Sequence, residues 1–80
     1  MRTRANIGMV ARNIRSDLVD VERMPGPTKA QYGVMGTLAV NLKVFAAALD
    51  EEREGRKDFV GGVRPSECVS LILGRDGNDV

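Results

Sequence analysis

Histidine and tryptophan are absent, cysteine occurs once, and the aromatic residues are Tyr32, Phe45 and Phe59 alone. Without histidine the chain lacks the commonest metal ligand and the usual general base. A single cysteine, Cys68, excludes an internal disulfide and fits a reducing compartment. So few aromatics argue against a stacking platform for single-stranded nucleic acid. A dominant charge is missing as well: 12 basic against 11 acidic residues leave a net charge of +1, so the total implies no strongly acidic or basic partner surface. No segment reads as long and apolar enough to cross a bilayer. The N-terminus has no continuous apolar signal-peptide core. It is basic and acid-free, as mitochondrial presequences are, but its apolar period runs on past Asp17, Asp20 and Glu22 and so reads as a folded helix. A cytoplasmic protein is expected, with no membrane partner, small-molecule substrate or cofactor.

Eighty residues make one domain with a modest core. Ile7, Val10, Ile14, Leu18 and Val21 recur at three- or four-residue steps and predict a helix over 5–23, started by Thr3 or Asn6. Met24-Pro25-Gly26-Pro27 breaks it. Thr28-Lys29-Ala30-Gln31 is a capping box: the Thr28 hydroxyl accepts from the Gln31 amide, and the Gln31 side chain reaches back. The second helix is expected over 28–54, with Gly55 as its stop and a length of roughly 40 Å. Its core stripe is Met35, Leu38, Leu42, Phe45 and Leu49, with Leu42 and Phe45 set against Ile14 and Leu18.

The other side of this helix is also apolar. Val40, Val44, Ala47 and Ala48 form a second stripe, and Lys43 is the only charge between Ala30 and Leu49. A helix apolar nearly all round is normally buried on several sides, which makes these four residues the candidate self-association interface. Residues 65–73 read as a short helix, with Pro65 near its start and Gly74 at its end, or as a strand with Val69, Leu71 and Leu73 alternating. No other strand offers it a sheet, so helix is preferred. The fold class is all-α: a hairpin of two long helices plus a short C-terminal helix in a single domain.

Among charged residues, Arg4, Arg12 and Arg15 share one arc of the first helix, with Arg2 in the lead-in. Cations in the first turns oppose the helix macrodipole, so these arginines are candidate contacts to the phosphates of duplex DNA. The competing reading is a solvated face paired with acidic residues elsewhere. Asp50, Glu51, Glu52 and Glu54 are oxygen ligands by type, but Arg53, Arg56 and Lys57 interleave, and Glu52 with Arg56 is a favourable i,i+4 pair, so a solvated helix end is expected and no metal. Asp76-Gly77-Asn78-Asp79 lacks the spacing and closing glutamate of a calcium loop. Cys68, Ser66 and Ser70 have no base to activate them, so no catalytic residue is assigned and an enzyme is not expected. Gly33 and Gly36, early in the second helix, mark either close approach of another backbone or a frayed start.

Two stretches, Ile14-Arg15-Ser16-Asp17-Leu18 and the alanine- and leucine-rich run from Leu38 to Leu49-Asp50, together with Gly26-Pro27-Thr28, resemble the terminase small subunits of phages that infect actinobacteria. The resemblance covers about half of the chain. It implies an oligomer that marks viral DNA for packaging and contacts the motor subunit, and it carries no family residue onto a numbered position here. The function expected from the residues is a non-catalytic, oligomer-forming interaction module. A small DNA-binding regulator and an inhibitor or antitoxin-like partner are the alternatives.

Overall fold

The computed structural model describes residues 3–75 and contains no strand among them. Helix α1 spans Ile7–Arg23 and helix α2 spans Lys29–Arg53. Two 3₁₀ turns follow, Val60–Gly62 and Pro65–Cys68, and the second runs directly into α3, Val69–Ile72. The two long helices pack together as a hairpin, as expected, and the short C-terminal helix packs mainly against α1. The loop composition Asp76 to Asp79 and Arg2 lie outside the described residues.

Local chemistry sets the helix ends. The Asn6 side chain accepts from the Met9 amide at 3.2 Å and caps α1. The Thr28 hydroxyl accepts from the Gln31 amide at 3.2 Å and caps α2. The second half of the expected capping box is absent: the Gln31 carboxamide donates instead to the Val21 carbonyl at 3.1 Å, tying α2 to the end of α1. Gly26 makes room for this buried side chain, since a Cβ there would lie 1.7 Å from its carboxamide oxygen. At the far end of α2, Gly55 takes φ +106°. Its amide donates to Glu52 at 2.9 Å and the Arg56 amide donates to Glu51 at 3.0 Å. This pair of bonds stops the helix by using carbonyls the last turn would leave orphaned.

The core joins Ile7, Val10, Ala11 and Ile14 of α1 to Phe45 and Ala48 of α2, and is closed by Phe59 and Cys68. Leu18, Leu38, Val44, Leu49, Val63, Leu71 and Ile72 pack partly buried around it. The expected stripe on α1 is therefore the real one. The stripe on α2 is corrected. Leu42 is 45% exposed, whereas Ala48, expected on the free face, is fully buried, and Val44 packs against the core. The inward face thus runs through Gln31, Leu38, Phe45, Ala48 and Glu52, turned by roughly half a residue step, about 50°, from the expected line. Polar groups hold that rotation: Gln31 bonds inward at one end of α2, and Glu51 and Glu52 bond inward at the other.

The expectation that no segment suits a bilayer also fails. By length and composition α2 is long and apolar enough to cross a membrane, and only 11% of that stretch is buried. A core helix of the same composition would be mostly covered. This one packs on a single side in a thin molecule, 41 × 35 × 17 Å, with no third layer above it among the described residues.

Candidate interaction surfaces

The outer side of α2 is the largest departure from an ordinary solvated surface. Tyr32 and Val40 are each 61% exposed, with Ala39, Ala46 and Ala47 exposed on the same side, whereas Leu42, 45% exposed, lies about 160° round the helix from Val40 at the edge of the inward face. Of the four expected interface residues, the structure leaves Val40 and Ala47 on this face and removes Val44 and Ala48 from it. Gly33 and Gly36 belong to the regular helix, not to a frayed start, and a Cβ at either would meet nothing within 4 Å. Each glycine costs about 1 kcal/mol relative to alanine in a helix interior. Nothing in the described residues offsets that cost. Exposed apolar surface of this kind makes the outer side of α2 a candidate interaction surface.

The three candidate phosphate-binding arginines do not form one arc. Arg4 precedes α1 and borders a shallow depression with Arg56, Asp58 and Val60. Arg12 and Arg15 lie on α1, one turn apart and exposed. The Arg15 guanidinium lies over the α3 terminus, 2.8 Å from where a Cβ on Gly74 would stand. The reason for the split is that Asn6, not Thr3, caps α1, which leaves Arg4 in the segment before the helix.

The acidic end of α2 is structural. Arg53 pairs with Asp50 at 3.1 Å on the surface. Glu51 takes hydrogen bonds from the Thr3 amide and hydroxyl and an ion pair from Arg56. Arg56, its side chain only 8% exposed, also donates to the Thr3 carbonyl at 2.8 Å and to Asp58, and lies 4.4 Å from the centre of the Phe59 ring. Glu52 receives the Ser66 amide at 2.9 Å and hydroxyl at 2.6 Å, capping the second 3₁₀ turn. The expected Glu52–Arg56 pair does not form, because Gly55 turns the chain before Arg56. Among the described residues no acidic or cysteine group is arranged to hold a metal.

These bonds carry a pH dependence. The Thr3 hydroxyl and amide, with Arg56 adding to them, lower Glu51 from an ordinary value of 4.5 to about 2. Bonds from Ser66 lower Glu52 as well. A carboxylate held low in the folded state stabilises fully above its unfolded pKa and loses that contribution as pH falls towards the folded one. The denaturant midpoint should therefore drop between about pH 4.5 and 2. Glu51→Gln should flatten that slope while lowering the neutral-pH midpoint, and a parent with constant stability across this window would break the link.

Cys68 is fully buried, and burial pushes its thiol up and away from thiolate chemistry. Ser66 is engaged with Glu52. The arrangement is thus two tied helix ends, a buried thiol, and one broad uncovered apolar face. No family model, curated protein or solved structure matches the chain.

Proposed function

We propose that this chain is a non-catalytic helical interaction module that assembles with copies of itself through the outer side of α2. The exposed apolar face carries the reading: Tyr32, Val40 and Ala47 stand in solvent on a helix whose inner side is already committed to α1. The resemblance to terminase small subunits extends the proposal to a viral DNA-packaging accessory working in the host cytoplasm. In that role Arg12 and Arg15, exposed on α1, contact the phosphates of duplex DNA.

Light scattering tests the proposal on the parent and on Val40→Lys, with and without duplex DNA at low salt. The parent should assemble at high concentration. Val40→Lys should stay folded and monomeric, because its ammonium would be buried unpaired in the contact. Val44→Glu is the wrong probe, since Val44 packs on the core. A parent that remains monomeric removes the assembly reading. A parent that assembles but leaves DNA free removes the packaging role and keeps the module.

A further inference from the structure

The outer side of α2 has a regular pattern. Positions 29, 33, 36, 40, 43, 47, 50 and 54 step alternately by four and three, and every one of them is exposed. That alternation is the spacing of a coiled-coil seam; Val40 and Ala47 are its apolar members, Gly33 and Gly36 leave it open, and the other four positions are charged. Its charges are divided between the ends: Lys29 at the start, Asp50 and Glu54 at the finish, Lys43 near the middle. The side chains of Lys29, Lys43 and Glu54 make no hydrogen bond or ion pair with other described residues.

We infer that a second copy of this chain docks on this seam antiparallel, with the two-fold axis between Asn41 and Leu42, so that Lys29 meets the partner's Glu54. The inference rests on the self-association reading above and specifies its geometry. The spacing is symmetric about that axis. It sets Gly36 opposite the partner's Ala47 and Val40 opposite the partner's Lys43, and each match occurs twice.

Charge selects the direction. A parallel pair would place Lys29, Lys43, Asp50 and Glu54 each against its own copy, four like-charge contacts along one seam. The antiparallel pair replaces the outermost of these with two Lys29–Glu54 ion pairs. It lays the aliphatic stem of each Lys43 along Val40 and leaves the ammonium at the edge in water. The glycines acquire a role in the same arrangement. With open space above Gly36 and only a methyl group on Ala47, two helix backbones can approach closely at two symmetric points. Nothing in the single chain uses those glycines. A bilayer fits the face less well, because it would bring Lys43 in the middle of the stripe, and the exposed charges of α1 behind it, towards hydrocarbon.

Cysteine crosslinking in a Cys68→Ser background tests the direction. Gly36→Cys and Ala47→Cys keep the fold, since both positions are open. Mixed and mildly oxidised, they should give a covalent heterodimer as the main product, while each alone stays uncrosslinked because its copies lie eleven residues out of register. Separately, Lys29→Glu or Glu54→Lys should weaken the dimer about fivefold through loss of two surface ion pairs, and the double variant should restore it. If each cysteine variant crosslinks with itself, the pairing is parallel and this inference falls while self-association stands. If the parent scatters as an oligomer but no pair crosslinks, another surface is used. If the parent is monomeric and sediments only with phosphatidylcholine vesicles, both this geometry and the self-association reading fail.

Discussion

Phe45→Ala should lose about 3–5 kcal/mol of folding stability, and Leu42→Ala about 0.5 kcal/mol or less. The two residues sit one turn apart, and periodicity assigns them to one stripe. The structure separates them. Phe45 is 5% exposed among Ile7, Ile14, Ala48 and Phe59, where truncation leaves a cavity that the other helices cannot fill. Leu42 is 45% exposed and gives up little on truncation. A domain of this size has a stability near the low end of the usual range of about 5–15 kcal/mol, so Phe45→Ala should unfold in dilute denaturant. Urea titration in a Val40→Lys background separates folding from assembly. Equal losses at the two positions would mean that α2 is turned towards the stripe that periodicity alone suggests.

The difference between those two stripes shows what periodicity can resolve. On α1 the apolar residues Ile7, Val10 and Ile14 occupy one side and charged residues the other, so the pattern has one solution. On α2 nearly every position from Ala30 to Leu49 is apolar or neutral, so several rotations of the helix satisfy the same pattern. Hydrophobicity cannot choose between them. The choice comes from polar groups at the helix ends, which pull Gln31, Glu51 and Glu52 inward, and from Ala48, whose small side chain sits in the packed core. The proline-glycine break, the Thr28 cap, the Gly55 stop and the short helix before Gly74 were legible, because each depends on residues within a turn of one another. The network joining Thr3 to Glu51 and Arg56 was not, since it spans 48 and 53 positions of the chain. The acidic run at the end of α2 looks like a solvated helix terminus in sequence, yet two of its members are fasteners for distant segments. A similar ambiguity affects the arginines. Arg4, Arg12 and Arg15 share an arc only if the helix begins early, and the Asn6 cap rules that out.

Ala47→Glu and Ala48→Glu should have opposite consequences, although the residues are neighbours of identical chemistry. One helical step, about 100°, separates them. Ala48 is fully buried in the cluster that contains Ile14 and Phe45, with no cation in that cluster to receive a carboxylate. An unpaired charge there costs on the order of several kcal/mol even after the surroundings relax, which approaches the whole stability of a small domain. Ala48→Glu should therefore lose its cooperative thermal transition at neutral pH and regain part of it in mild acid, where the carboxyl is neutral. Ala47 stands in solvent on the seam. Ala47→Glu should keep the helical dichroism and the melting behaviour of a monomeric hairpin and lose self-association, because two carboxylates would enter the contact opposite Gly36. Glutamate is as compatible with a helix as most residues, so neither outcome follows from propensity. Dichroism melts and light scattering on the pair decide the matter. If Ala48→Glu folds and Ala47→Glu does not, the inner and outer faces of α2 are exchanged. If both fold and both assemble, neither the core position of Ala48 nor the assembly face holds.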